Sequence, residues 1–260
     1  MREALREPRA RGERLGLVPT MGAFHAGHIA LMRAAREAAD VVVVSLFVNP
    51  SQFNAAEDLA RYPRDESADA AMADQAGVDL LFAPSAEALY PDGFDTWVEP
   101  GELAKVLEGA ARPGHFRGVA TVCNKLFSIV QPSAAFFGQK DAQQVAVIRQ
   151  VVADLNLPLE IVALPTVRDS DGLALSSRNV FLSPAERTVA LALPRALEAG
   201  LEAHRSGGDP VSAARALLDT ARGLVVDYVA VADFDGSTLA AAVRVGATRL
   251  IDNVPLSDPR

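Results

Sequence analysis

The sequence LGLVPTMGAFHAGHIALMRAAREAADVVVVSLFV, residues 15–48, contains two short apolar runs separated by an amphipathic stretch. The runs are residues 15–19 and 41–48. The second is apolar at almost every position, which is typical of a strand buried on both faces of a parallel sheet. Residues 27–39 have the spacing of a helix. The stretch therefore predicts a strand–helix–strand unit with parallel strands.

The same alternation continues along the chain. The pattern predicts further helices over 66–76, 119–130 and 141–155, and further strands over 79–83, 134–137 and 159–164. Such alternation indicates an α/β fold with a doubly wound, Rossmann-like parallel sheet. Beyond it we expect helices over 184–205 and 210–222 and strands over 225–231 and 249–251, which form a smaller C-terminal α+β domain. We therefore predict two domains, 1–166 and 167–260.

The composition restricts the class of protein. The chain has 25 Lys and Arg against 33 Asp and Glu, a formal charge of −8, which argues against a nucleic-acid partner. Cys123 is the only cysteine, so neither an intrachain disulfide nor a cysteine-rich zinc cluster can form. The N-terminal residues are charged, and the apolar runs are too short to span a membrane. We expect a cytoplasmic globular protein without a membrane partner.

Residues 19–28, PTMGAFHAGH, lie where the first strand meets the first helix. Gly22 and Gly27 would let a ligand approach the backbone, and the helix start offers free N–H groups to an anion. His25 and His28 are three residues apart and could donate hydrogen bonds to phosphate oxygens. Two alternatives stay open, namely half of a zinc site and an ordinary turn. The glycine-rich dinucleotide and P-loop patterns are both missing from the sequence.

Two more polar segments follow predicted strands. FGQKDAQQ, residues 137–144, combines a glycine, a cation and a candidate helix cap, and DSDGLALSSRN, residues 169–179, ends with two hydroxyls and an arginine. Residues 49–53 add amides, and residues 112–117 add cations in a turn. Taken singly, the lysine could be merely solvated and residues 169–179 a surface loop. Together they predict a nucleoside triphosphate that is bound by loops.

Seven segments together resemble one known family. In chain order they are PTMGAFHAGH (19–28), LFVNPSQFN (46–54), YPRD (62–65), RPGHFRGVATVCNKL (112–126), FFGQKDAQQ (136–144), PTVRDSDGLALSSRN (165–179) and TRLIDN (248–253). On these segments the chain resembles the pantothenate synthetase (pantoate–β-alanine ligase) family of the nucleotidyltransferase superfamily. The resemblance implies that pantoate is activated by Mg-ATP as pantoyl adenylate, with release of pyrophosphate. The amine of β-alanine then displaces AMP. It also implies a homodimer and a nucleotidyltransferase-type sheet.

The resemblance also implies roles for individual residues. The implied catalytic residues are His25, His28, Lys140, Ser176, Ser177 and Arg178. ATP would be bound by Met21, Gly22, His28, Gly138, Lys140, Asp141, Val167, Ser176, Ser177 and Arg178. Pantoate would be bound by Thr20, Met21, Gln52 and Gln144, and Asp69 is a candidate ligand of Mg²⁺. Two positions depart from the family pattern: Gln139 replaces a common glutamate and Leu175 a common methionine.

Two further interpretations concern activity and motion. There are two alternatives to the ligase. One is a nucleotidyltransferase that releases a stable adenylylated or cytidylylated product, and the other is a nucleotide-binding module without turnover. Residues 169–179 contain few apolar residues, so we expect this loop to be mobile without a ligand and to become ordered on phosphate oxygens. The second domain would then act as a lid that keeps water from the adenylate.

Overall fold

The structure, a computed structural model, describes residues 1–53, 59, 60 and 62–257. Asn54, the last residue of LFVNPSQFN, and the end of the predicted second domain, 258–260, lie outside the described residues. The chain divides into two compact units. The first contains residues 1–138 and 143–164, and the second contains residues 139–142 and 165–260. The predicted assignment of nucleotide and pantoate binding to 1–166 and of a lid to 167–260 stays a prediction.

The first unit is built on a parallel five-stranded sheet with the order β3-β2-β1-β4-β5. Its strands are β1 (Leu15–Thr20), β2 (Val41–Leu46), β3 (Leu80–Phe82), β4 (Ala134–Gly138) and β5 (Glu160–Leu164). The β-branched run of β2 is buried along Val42–Val44, as expected for a strand covered on both faces. The predicted Rossmann-like fold class is confirmed. β2 ends at Leu46 rather than at the predicted Val48.

Helices cover both faces of this sheet. They are α1 (Arg6–Ala10), α2 (Ala26–Ala38), α3 (Glu66–Gln75), α4 (Ala86–Leu89), α5 (Glu108–Ala111), α6 (His115–Val130) and α7 (Ala142–Asp154). Leu17 packs in one cluster with residues of α6 and α7. The next residue, Val18, packs in another cluster with residues of α2 and α3. Successive strand residues therefore serve opposite cores, which gives three layers.

The second unit combines three helices with an antiparallel sheet of order β6-β7-β8. The elements are α8 (Pro184–Ala190), α9 (Ala192–Arg205), α10 (Pro210–Thr220), β6 (Leu224–Asp233), β7 (Ser237–Val245) and β8 (Thr248–Pro255). Its core joins Leu193 and Leu197 of α9 to Leu239 and Val243 of β7. The smaller C-terminal α+β domain of the predicted fold is thus present.

Two details of the second unit differ from the prediction. The single helix expected over 184–205 is interrupted at Leu191, which ends α8 and precedes α9. Pro194 explains the break, because it has no N–H to donate to the carbonyl of Ala190. The central strand β7 was not predicted at all. Its run of three alanines, residues 240–242, has weak strand propensity, yet these alanines are buried between two neighbouring strands.

Among the described residues, no helix combines the length and the apolar character that a membrane crossing requires.

Candidate active site

The sheet of the first unit reverses its strand order between β1 and β4. These two strands are hydrogen-bonded neighbours, but β2 follows β1 on one side and β5 follows β4 on the other. In open α/β sheets, ligands bind beyond the carboxyl ends of the strands at this point. Met21 directly follows β1, and Gly138 is the last residue of β4. Two of the predicted ligand-binding segments, 19–28 and 137–144, therefore reach the switch point, whereas residues 49–53 follow the neighbouring strand β2.

The two histidines lie together at the start of α2. His25 is the N-cap, and its Nδ1 accepts a hydrogen bond from the N–H of Gly27 at 3.2 Å. The Nδ1 of His28 accepts a hydrogen bond from the backbone N–H of His25 at 3.3 Å. The ring centroids are 4.1 Å apart. Because its Nδ1 accepts, the neutral ring of His28 carries its proton on Nε2 and can donate a hydrogen bond from there.

His28 is held in its neutral form. Burial, and secondarily the neighbouring His25, lower the pKa of His28 to about 3. At neutral pH His28 is therefore a hydrogen-bond donor without a positive charge. Its Nε2–H can donate a hydrogen bond to a phosphate oxygen. The negative charge of the phosphate groups must be offset by lysine or arginine.

Asp69 lies in the first turn of α3 and is only 3% exposed. Its two carboxylate oxygens accept hydrogen bonds from the backbone N–H groups of Ala23 at 2.9 Å and Phe24 at 2.7 Å. These residues belong to the loop between β1 and α2. In the part of the chain that the structure describes, no group of three His, Cys, Asp or Glu residues could hold a metal ion. The observed contacts of Asp69 are therefore with backbone, and its predicted role toward Mg²⁺ stays a prediction.

Gln52 is buried and has a defined side-chain position. It ends a 3₁₀ helix, Pro50–Gln52, that follows β2. Its Nε2 donates to the sulfur of Met21 at 2.9 Å, and its Oε1 accepts from Nδ2 of Asn49 at 3.1 Å. The structure thus brings together two of the predicted pantoate-binding residues. Asn49, which the sequence analysis noted only as a nearby amide, orients one of them.

The backbone of Gln52 is also fixed. Its carbonyl oxygen accepts hydrogen bonds from Nδ1 of His115 at 2.9 Å and from the guanidinium of Arg112 at 3.2 Å. A β-carbon on Gly118 would collide with the backbone of Ser51. The turn at 112–117 was predicted only as a source of cations. Two of its residues in fact position Gln52, which only the spatial arrangement shows.

The other predicted pantoate residues have different surroundings. Thr20 is buried at the end of β1, and its hydroxyl donates to the carbonyl of Ser45 at 2.5 Å. Gln144 is partly exposed in the first turn of α7. Its neighbour Gln143 is buried, donates to the carbonyls of Leu103 and Val106 and accepts from the N–H of Glu108. Gln143 therefore serves the packing of this unit.

Cys123 lies on the buried face of α6 and is 4% exposed. Burial raises the pKa of its thiol to about 12. The residue is therefore a protonated thiol at neutral pH, unsuited to nucleophilic catalysis.

Lys140 belongs to the short segment 139–142 of the second unit. It lies in a 3₁₀ turn, Gln139–Asp141, with its Nζ 3.9 Å from the carboxylate of Asp141. The side-chain amide of Asn253 on β8 donates to the carbonyls of Gln139 at 2.9 Å and Lys140 at 2.8 Å. Asn253, from the TRLIDN segment, thus fixes the backbone that presents Lys140. The sequence pattern alone indicated no role for Asn253.

The loop over 165–175 is better anchored than its composition suggested. Leu173 and Ala174 are buried, at 2% and 5% exposure. Arg187 forms ion pairs with Asp169 at 2.6 Å and Asp171 at 2.8 Å, and hydrogen bonding to Arg187 lowers the pKa of Asp171. Few apolar residues therefore suffice to anchor this part of the loop, because they are buried and ion pairs fix the rest. The predicted mobility of residues 169–179 without a ligand stays a prediction.

A second set of interactions, which begins with an ion pair of Arg168, stabilises the start of the same loop. Arg168 binds the carboxylate of Asp252 through both guanidinium NH groups, at 2.6 and 3.1 Å. The N–H of Leu175 donates to the carbonyl of Val167 at 3.0 Å. The second of these bonds connects Val167, a predicted nucleoside-binding residue, to Leu175, which immediately precedes the two serines.

The remaining predicted phosphate-binding residues follow this anchored part. Ser176 is the N-cap of a 3₁₀ helix, Ser177–Phe181, and its hydroxyl accepts from the N–H of Arg178 at 3.3 Å. In this helix Val180 is 72% exposed and Phe181 37% exposed. Exposure therefore increases from the buried Leu173 and Ala174, through the partly exposed residues 175–179, to Val180 and Phe181.

Comparison with known proteins identifies the family. The family described as Pantoate-beta-alanine ligase matches residues 1–255. The chain belongs to the pantoate-beta-alanine ligase family. It is therefore a ligase, and the family predicted from the seven segments is confirmed.

Relatives and solved structures agree with this family. The chain is 53% identical to pantothenate synthetase from Heliobacterium modesticaldum, over 96% of this chain and 94% of that protein. It is 47% identical to pantothenate synthetase from Thermus thermophilus, whose crystal structure it matches with a TM-score of 0.91 over 96% of each chain. The pantoate-beta-alanine ligase of Francisella tularensis, complexed with beta-gamma ATP and beta-alanine, is 36% identical. Its TM-score is 0.85, and the match covers 98% of this chain and 94% of that one.

Proposed function

We propose that this ligase condenses pantoate with β-alanine to pantothenate in an ATP-dependent reaction through pantoyl adenylate. In the first step a carboxylate oxygen of pantoate forms a bond to the α-phosphorus of ATP, and the bond from that phosphorus to pyrophosphate breaks. In the second step the amine of β-alanine forms an amide bond with the acyl carbon. The bond from that carbon to the AMP oxygen breaks, and the amine loses a proton.

One observation carries this proposal. The family match extends over residues 1–255 and includes every residue to which we assign a role. The complex of the Francisella tularensis relative with beta-gamma ATP and beta-alanine supports ATP and β-alanine as ligands here. The position of His25 and His28 at the start of α2 supports the phosphate-binding role, because a helix N-terminus lies there at the switch point of the sheet.

The proposed roles follow the two units. In the first unit, His25 and His28 donate to phosphate oxygens, and the backbone at Met21, Gly22 and Gly138 lines ATP. Pantoate contacts Thr20, Met21, Gln52 and Gln144. In the second unit, Lys140, Ser176, Ser177 and Arg178 contact the triphosphate, and Asp141 and Val167 line the nucleoside.

The chemistry explains why these residue types are required. The nucleophile of the first step is already an anion, so no strong base is needed. The obstacle is the repulsion between a carboxylate and a polyphosphate, together with the charge that develops on the departing pyrophosphate. Lysine and arginine offset that charge, and uncharged donors such as His28 and Gln52 orient the reactants without adding a charge.

Magnesium would accompany ATP in this reaction and neutralise phosphate charge. The described residues provide no cluster of three His, Cys, Asp or Glu ligands for it. The residues present therefore do not fit a metal site that is built by the protein alone.

A pyrophosphate-exchange assay tests the proposal. Labelled pyrophosphate should enter ATP when pantoate is present without β-alanine, and other small hydroxy acids should support less exchange. AMP should be released in stoichiometric amounts only after β-alanine is added. A stable adenylylated product would instead indicate a nucleotidyltransferase, and no exchange with any acid would indicate a nucleotide-binding module.

The assembly proposed from the family resemblance is a homodimer. Light scattering at micromolar concentration should give twice the chain mass of 27.5 kDa. A monomer under those conditions contradicts it.

A further inference from the structure

The loop between β1 and α2 has an unfavourable backbone conformation. Gly22 has a φ of +86° and Ala23 a φ of +53°, so two successive residues lie in the left-handed region. Glycine adopts this region readily, but alanine does so at a cost in free energy. Such a conformation persists only when the surrounding structure imposes it.

Asp69 provides the contacts that impose this conformation. Its Oδ2 accepts from the N–H of Ala23 at 2.9 Å, and its Oδ1 accepts from the N–H of Phe24 at 2.7 Å. Two successive backbone N–H groups that converge on one anion form a small concave anion site. Here the anion is the protein's own carboxylate. Because it is 3% exposed, water competes little for either bond.

The fit between the loop and Asp69 is reciprocal. A β-carbon on residue 22 would lie 2.8 Å from Oδ2 of Asp69 and 2.7 Å from a methyl carbon of Leu46. Only a glycine at this position therefore lets the carboxylate come close enough to reach both N–H groups. The left-handed turn and the buried carboxylate thus depend on each other.

This loop leads directly into the two histidines. Phe24, whose N–H is bound by Asp69, is followed by His25, the N-cap of α2. The N–H of His25 in turn donates to His28. The position of the backbone at residues 23 and 24 therefore determines the position of the backbone from which both imidazole side chains extend.

We propose that Asp69 is a positioning residue, which acts through the backbone of Ala23 and Phe24 on His25 and His28. The consequence for catalysis rests on the proposed function. The stabilisation of the loop by the two hydrogen bonds to Asp69 does not.

Hydrogen exchange on the protein without ATP or Mg²⁺ directly tests whether Asp69 stabilises the backbone of this loop. The variants are Asp69→Ala, which removes both acceptors, and Asp69→Asn, which keeps one oxygen. Amide exchange at Ala23 and Phe24 should accelerate by about tenfold or more in Asp69→Ala, and at one of the two amides in Asp69→Asn. Asp74→Asn, an exposed residue of the same helix, is the matched control and should leave both amides unchanged.

Kinetics separate the two roles of Asp69. As a positioning residue, Asp69→Asn should lower kcat of pantoate-dependent exchange by roughly tenfold or more. The KM for pantoate and the Mg²⁺ concentration at half-maximal rate should stay within about threefold. If Asp69→Ala does not fold, Asp69→Asn carries both measurements. Unchanged exchange at both amides, or a large rise in the Mg²⁺ requirement with protected amides, would overturn the proposal. If neither the wild type nor any variant shows pyrophosphate exchange, the proposed function fails. The amide exchange data still show whether Asp69 stabilises the loop.

Discussion

The side-chain amide of Gln52 donates a hydrogen bond to the sulfur of Met21, with 2.9 Å between nitrogen and sulfur. Met21 directly follows β1, and Gln52 lies in the turn after β2. β1 and β2 pair in parallel up to the partners Thr20 and Leu46. The contact therefore links the segments that follow two neighbouring strands at the carboxyl edge of the sheet.

We expect Gln52→Ala to impair the use of pantoate and to leave the affinity for ATP within a few-fold. Truncation removes an amide that is buried and already oriented by Asn49, so its replacement should cost about 1–3 kcal/mol, or about fivefold to more than a hundredfold in kcat/KM for pantoate. Gln150→Ala, on the exposed side of α7, is the control glutamine. Steady-state kinetics with each substrate varied make the measurement. Loss of ATP affinity with normal use of pantoate would show that the two substrate assignments are reversed.

Lys140→Ala should slow adenylate formation far more than it weakens the binding of pantoate. A positively charged donor that stabilises developing charge typically contributes roughly 3–4 kcal/mol, equivalent to a few hundredfold in rate. Single-turnover release of pyrophosphate measures the step. Lys105→Ala removes a lysine that forms an exposed ion pair with Glu102, and it should leave the rate unchanged. A near-normal rate in Lys140→Ala contradicts the assignment.

The neutral state of His28 predicts a pH dependence of stability. Its pKa is about 3 in the folded protein, against an ordinary value of 6.5, so the unfolded chain binds more protons between these limits. The contribution of His28 to the free energy of unfolding should therefore be constant above pH 6.5 and decrease as the pH falls below it. Between pH 6.5 and 5 the loss is at most about 2 kcal/mol, and less where water reaches the ring.

Urea unfolding of the wild type and His28→Gln at pH 7.5 and pH 5 measures this dependence. The difference in the free energy of unfolding between wild type and variant should shift in favour of the variant at pH 5. His204→Gln, which alters an exposed histidine of α9, corrects for general effects of the substitution. The same difference at both pH values would mean that His28 titrates normally.

ATP should protect the segment 176–181 against hydrogen exchange, and residues 172–175 should be protected already without it. The reason is that Leu173 and Ala174 are buried, whereas Val180 and Phe181 are exposed. Arg178→Ala should in addition slow adenylation and raise the fraction of ATP that is consumed without product. Equal exchange over 176–181 with and without saturating ATP would show that the nucleotide does not order this segment.

Some of this molecule could be predicted from the sequence because the signal is local. The apolar runs at 15–19 and 41–48 indicated buried parallel strands, since alternate residues face opposite cores and both cores are apolar. The position of His25 and His28 at the start of a helix followed from the same pattern. The motifs along 19–253 then indicated the family, because their residue types and their order in the chain match it together.

Other features were decided only by the tertiary structure, because they depend on residues far apart in sequence. β7 is stabilised by pairing with β6 and β8, which outweighs the weak strand propensity of its alanines. The carbonyl of Gln52 is bound by His115, 63 residues away, and Asp69 binds the N–H of Ala23, 46 residues away. The sequence specified which side chains could donate or accept. The fold alone determined their partners, because a hydrogen bond requires heavy atoms within about 3 Å and no local pattern encodes that distance.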